Sequence, residues 1–216
     1  MQHGRLAFDS DFFHSVEQCY EDEEGSNPVN IINNILFFRA GPVKKFILRL
    51  SSDDPRPEES DFKRWCLFLS RNGVEELNLY LESNLYKLPS CIVSCQTIKL
   101  LILDGFILYL PINDRCIFPG VTSLAFSGVE FGNNENGIVY SIPNLEKLTF
   151  HFCVGFSDFE FNAPNLKRLT VNQSISEVGS KCFWLNPKAI MTLCLDRQFL
   201  KVRISIVVFS LLIYCK

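Results

Sequence analysis

A six-residue pattern recurs along this chain and restricts the folds that it can adopt. Each copy reads apolar, any, any, apolar, any, apolar, as in VTSLAF, LEKLTF and LKRLTV. The copies begin at Val43, Val74, Ile98, Val121, Leu145, Leu166 and Ile190. The first interval is 31 residues, and the later ones are 21 to 24 residues. Such regular self-similarity predicts one structural unit repeated along the chain.

The last apolar letters of each copy alternate with a free letter, which is typical of a strand with one buried face. A single strand cannot bury that face, but parallel strands stacked side by side form a continuous core. The intervals fit the period of roughly 20 to 29 residues found in leucine-rich repeats. We therefore predict an α/β solenoid with a parallel β-sheet on its concave face and short helices and loops on its convex face.

Two helices are predicted in the N-terminal part of the chain. Asn27 is the expected N-cap of the first helix, with Pro28 at its first position and Gly41 at its end. Ser60 is the expected cap of the second helix, which Gly73 ends. The second helix lies between the first two hexamers and explains why the interval between them is longer than the later ones.

The predicted organisation has three parts. Residues 1–42 form an N-terminal segment with a capping helix, and residues 43–200 form a leucine-rich-repeat domain of about seven irregular repeats. Residues 201–216 form an apolar tail, either a final buried strand or a truncation. The uncharged run in this tail is shorter than the roughly 20 residues that a transmembrane helix needs.

Composition excludes several classes of function. A net charge of -3 and a pI near 5.7 argue against a nucleic-acid partner or a polybasic membrane surface. The first residues lack the basic and apolar regions of a secretory signal, so we expect an intracellular protein, cytoplasmic or nuclear, that is not secreted. The nine cysteines then read as thiols.

The sequence offers little for catalysis or cofactor binding. The histidines are His3, His14 and His151, and no nucleophile elbow accompanies them, so we predict that the chain is not an enzyme. Cys91 and Cys95 lack a second ligand pair at zinc-site spacing. Phosphate-binding and dinucleotide fingerprints are also missing. We expect no metal and no cofactor.

Several segments together resemble the leucine-rich-repeat region of plant F-box/LRR proteins, including those with an FBD domain. The resemblance is carried by FDSDFFHSVEQCY, LPSCIVSCQTIKLLILDG, FPGVTSLAFSGVEF and IPNLEKLTFHFCVGFSDFEFNAPNLKRLTV. It implies a protein-protein interaction module like the substrate-recognition part of an F-box ubiquitin-ligase receptor.

The segment MQHGRLA leaves no room for an F-box, so docking to a ligase adaptor is not expected from this sequence. An alternative is a truncated structural remnant that has no independent activity or interferes with full-length relatives. The sequence does not identify a protein partner.

The free letters of each strand should form columns of side chains across the concave face. Their mixture of charged, aromatic and small residues suits a surface that binds another protein. The predicted partner-binding residues are Arg49, Glu76, Tyr80, Asp104, Lys147, His151, Arg168 and Asn172.

Overall fold

The computed structural model describes most of the chain between Gly4 and Leu195. The described residues are 4–19, 27–82, 86–111, 113, 115–132, 138–155, 160–172, 184–185 and 192–195. The predicted apolar tail, residues 201–216, and His3 lie outside them.

The described residues contain fourteen strands and four helices, and all four helices precede β5. In chain order they are β1 (Arg5–Phe8), α1 (Ser10–Cys19), α2 (Pro28–Phe37), β2 (Lys45–Leu50), α3 (Glu59–Arg71), β3 (Glu76–Leu81), β4 (Tyr86–Lys87), α4 (Ser90–Val93), β5 (Leu100–Asp104), β6 (Phe106–Leu108), β7 (Ser123–Ser127), β8 (Glu130–Phe131), β9 (Val139–Ser141), β10 (Lys147–His151), β11 (Glu160–Asn162), β12 (Arg168–Asn172), β13 (Trp184–Leu185) and β14 (Thr192–Leu195).

The main sheet contains eight parallel strands in the order β1-β2-β3-β5-β7-β10-β12-β14. Corresponding hexamer letters of neighbouring strands pair with each other, so the apolar letters form continuous buried rows. One row, with members no more than 1% exposed, comprises Phe46, Leu77, Leu101, Leu124, Leu148 and Leu169. The predicted parallel solenoid is confirmed.

The two predicted helices are present, with different ends. Asn27 caps α2 as expected, because its side-chain oxygen accepts a hydrogen bond from the Val29 amide at 2.9 Å. This helix ends at Phe37, well before Gly41. The prediction that Ser60 caps the next helix is wrong, since Ser60 lies inside α3, which has no side-chain cap.

The main sheet also begins earlier than the hexamers indicate. Strand β1 pairs in parallel with β2, and α1 follows it directly. Phe8 and Phe13 of these two elements are each 2% exposed and join the hydrophobic core. The N-terminal residues therefore contribute a strand of their own to the solenoid.

The segments that connect consecutive strands of the main sheet, which we call the return segments, contain short elements and are joined by side-chain hydrogen bonds. The helix α4 occupies one return, whereas β4, β6 and β8 form a small sheet and β9, β11 and β13 form another. Asn144 donates to the carbonyl oxygen of Pro119 at 2.7 Å, and Asn165 donates to that of Pro143 at 2.8 Å. Within the described ranges, every helix is too short or too polar to cross a bilayer.

Candidate partner-binding face

The side of the main sheet opposite the buried rows carries the candidate site, and we call it the open face. It consists of the outward side chains of β2, β3, β5, β7, β10, β12 and β14, in register from strand to strand. All of them are half-buried or exposed, whereas the described residues that alternate with them are buried. The eight sequence-predicted site residues all lie on this face.

The outward residues form three rows across the sheet. The first row comprises Lys45, Glu76, Leu100, Ser123, Lys147, Arg168 and Thr192. The second comprises Ile47, Asn78, Ile102, Ala125, Thr149, Thr170 and Cys194. The third, at the carboxyl ends of the strands, comprises Arg49, Tyr80, Asp104, Ser127, His151 and Asn172.

Charged groups near the N-terminal edge of the open face are engaged with each other. Lys45 forms an ion pair with Glu76 at 2.5 Å. The guanidinium of Arg49 lies 3.9 Å from the centre of the Tyr80 ring, within the range of a cation–π interaction. Both cations therefore already have an interaction partner within the molecule, a carboxylate for Lys45 and an aromatic ring for Arg49.

Asp104 lies in the middle of the third row, between Tyr80 and Ser127. Partial burial raises the pKa of its carboxyl group, while a hydrogen bond with Ser127 and the nearby His151 and Arg49 side chains act in the opposite direction. The carboxyl group of Asp104 thus interacts electrostatically with side chains from three other strands of the sheet, β2, β7 and β10.

An open cleft of about 460 Å³ lies at the carboxyl ends of these strands. Its lining includes Arg49, Tyr80, Glu82 and Asp104. A smaller cleft of about 270 Å³ continues toward α1 and places His14 near Asp53 and Asp54. The mixed charges and open shape suit contact with a protein segment more than enclosure of a small molecule.

Over β10 and β12 the open face carries two adjacent positive charges. Lys147 and Arg168 are register partners, and both are exposed. Neither forms an ion pair with any residue that the structure describes. Adjacent like charges on neighbouring strands repel. This part of the open face therefore favours an anionic group.

Phe152, directly after β10, was not among the sequence-predicted site residues. Its side chain is 54% exposed, and its ring centre lies 4.3 Å from that of His151. Its backbone has a positive φ of 52°. The hexamer pattern ends before this position and so gives no signal for it.

Two features of the described residues concern metal and thiol chemistry. They contain no group of three His, Cys, Asp or Glu side chains arranged to hold a metal ion. Cys66 is fully buried, and this burial raises the pKa of its thiol well above its ordinary value. What the open face offers is a set of cations, hydroxyl groups and aromatic rings for contact with another molecule.

The chain is similar to F-box and leucine-rich-repeat proteins of Arabidopsis thaliana. It is 40% identical to an F-box/FBD/LRR-repeat protein over 70 residues, which are 32% of this chain and 16% of that protein. It is 29% identical to an F-box/LRR-repeat protein over 160 residues, covering 69% of this chain and 38% of the relative. An FBD-associated F-box protein is 25% identical over 166 residues, which cover 74% of this chain and 39% of the relative.

The chain spans less than half the length of the curated relatives that it matches. No family model matches it, and no solved structure matches it.

Proposed function

We propose that this chain is a protein-binding repeat module that holds its partner on the open face of the main sheet. It acts by contact and not by catalysis. The observation that carries this proposal is the separation of the two sides of each strand. Alternate residues form the buried rows, and the residues between them remain available in register across seven strands.

The similarity to F-box/LRR proteins supports a finer form of this proposal. In that form, the repeat region that we expect over residues 43–200 recognises a substrate for a ubiquitin-ligase receptor. The eight candidate residues Arg49, Glu76, Tyr80, Asp104, Lys147, His151, Arg168 and Asn172 provide its contact surface. Arginine and tyrosine are enriched among residues that dominate binding energy at protein interfaces.

Charge reversal on the open face tests the proposal. The full chain would be used as bait in an Arabidopsis extract, with covalent crosslinking and quantitative mass spectrometry. We expect Lys147→Glu combined with Arg168→Glu to deplete the captured proteins by about tenfold, because two exposed cations become anions. The melting temperature should stay close to that of the original chain, since both side chains are exposed.

A matched control changes the same net charge elsewhere. Lys63 and Arg71 are exposed on α3, whose apolar side packs into the core. Their reversal to glutamate should leave capture unchanged. If capture is equal in both double variants and in the original chain, binding does not occur through the open face.

A further inference from the structure

Phe152 occupies a backbone conformation that its repeat neighbours reserve for glycine. We call each turn of the solenoid a coil. The residue that follows the main-sheet strand has positive φ in three successive coils, at Gly105, Gly128 and Phe152, with values of 74°, 53° and 52°. Each of these three amides donates a hydrogen bond to the last residue of the next strand, at 2.8 to 3.1 Å. The turn is therefore the same in each coil. A bulky side chain at such φ is strained, whereas glycine is not.

A second phenylalanine shows how such strain is ordinarily offset. Phe118 also has a positive φ, of 48°, but its side chain is fully buried in the core. Burial of the ring stabilises that conformation. The Phe152 ring is 54% exposed and rests on His151, so the folded chain gains much less from it. Backbone strain that is not offset by burial of the side chain is typical of functional positions.

The apolar surface at Phe152 continues beyond it. Cys153 is buried, and Val154 beyond it is 39% exposed. Val154 pairs with Glu130 of the preceding coil, so this coil presents an apolar residue where its neighbour has a charged one. Phe152 and Val154 are thus two exposed apolar residues just beyond the carboxyl end of β10, and we call them the apolar patch.

The same strand carries a positive charge at its other end. Lys147 begins β10, and Arg168 lies beside it at the start of β12. Lys147 and Phe152 are five positions apart in the sequence, which corresponds to about 16 Å along an extended chain. A peptide segment of similar extended length would therefore reach both the cations and the apolar patch.

We propose that β10 and its neighbour β12 bind an extended acidic segment of a partner protein, with Phe152 as the aromatic anchor. Carboxylates of the segment lie against Lys147 and Arg168. A large apolar side chain about five residues away packs on Phe152 and Val154. This inference rests on the proposed function and specifies the partner chemistry for the same face.

Fluorescence anisotropy with the full chain tests it. The probes are fluorescein-labelled peptides with two aspartates at one end and a tryptophan–leucine pair at the other. Glycine–serine spacers of about four to six residues and both chain directions are included. We expect at least one probe to bind about tenfold more tightly than the same peptide with lysines in place of the aspartates. No preference for the acidic probes would overturn the proposal.

Two substitutions at one position separate binding from strain. Phe152→Ala removes the ring and keeps a Cβ atom at positive φ, whereas Phe152→Gly removes both. Each should weaken probe binding by about tenfold. The glycine variant should melt at a higher temperature than the alanine variant, because glycine adopts a positive φ without strain. Phe38→Ala, which removes an 84% exposed ring outside the open face, is the control and should leave binding unchanged.

The outcomes distinguish this inference from the broader proposal. Unchanged probe binding in both Phe152 variants, or a glycine variant that melts below the alanine variant, would overturn the role of Phe152. If proteins captured from the extract are lost on reversal of Lys147 and Arg168 but retained by Phe152→Gly, the open face binds a partner without this anchor. The proposed function would then stand and the inference would fail.

Discussion

Gly120 lies where two successive coils of the solenoid approach each other closely, and its replacement by alanine should destabilise the fold. A Cβ atom there would lie 2.1 Å from the carbonyl oxygen of Gln96 and 2.9 Å from that of Ile98. Both are backbone atoms of the preceding coil and cannot rotate away. The coils would have to separate by about 1 Å to restore ordinary contact.

The size of the effect follows from the hydrogen bonds that hold these coils together. Lys99 accepts hydrogen bonds from the amides of Thr122 and Ser123 at 2.9 and 3.0 Å, and Val93 accepts one from Phe118 at 2.7 Å. A separation of about 1 Å would take all three beyond hydrogen-bond distance. Each hydrogen bond stabilises the fold by about 0.5 to 1.5 kcal/mol, so loss of the three through Gly120→Ala should lower the free energy of unfolding by about 3 kcal/mol.

Urea denaturation followed by circular dichroism measures this loss, with Gly41→Ala as the control. Gly41 has open space around its missing Cβ and a φ of 99°. Its replacement should cost only the backbone strain, about 1 to 2 kcal/mol. Hydrogen exchange gives a local readout, since the amides of Thr122 and Ser123 should lose protection only in the Gly120 variant. Equal costs at both glycines, or retained protection, would refute the close approach of the coils.

Two further predictions concern the charge and capping of the array. Glu75 bridges Lys44 and Lys99, each at 2.7 Å, and hydrogen bonds from these lysines lower the pKa of its carboxyl group to about 2. Because the folded-state pKa lies below the ordinary value of 4.5, the original chain should be more stable than Glu75→Gln by a full amount above pH 4.5, and this difference should shrink as the pH falls toward 2. Urea denaturation at several pH values measures the difference, and a value that does not change with pH would contradict the prediction. Asn27→Ala should cost about 1 kcal/mol through loss of the α2 cap, and the same substitution at the exposed Asn30 should cost less in the same denaturation assay.

The sequence predicted the strands of the sheet well because their alternation is a local property. Leu77, Leu101 and Leu148 fall in one buried row since each occupies the same letter of its hexamer. Strand β1 was missed for the same reason. Its Leu6 and Phe8 pair with the apolar residues of β2, but His3 stands where the first apolar letter should be. The pairing is formed with another coil, and the local pattern does not contain it.

The candidate site was predictable in outline only. The period of two along each strand places Arg49, Tyr80 and Lys147 on one face. It does not reveal that Arg49 stacks on Tyr80 while Lys147 has no ion-pair partner within the described part of the chain, since these interactions depend on side-chain conformations across strands. The positive φ of Phe152 lies beyond the end of the hexamer pattern, at the position where the two preceding coils have Gly105 and Gly128.

Under the proposed function, the uneven pairing of charge across the open face predicts where the specificity for a partner should reside. At the N-terminal edge, Lys45 is held by Glu76. An acidic partner there would have to displace an existing carboxylate, so it would gain little net attraction. Over β10 and β12 the adjacent Lys147 and Arg168 repel each other, and an arriving carboxylate would relieve that repulsion as well as form new contacts. Because both side chains project away from the buried rows, substitutions at these positions should alter the preference for the proposed partner while leaving the core that defines the fold intact.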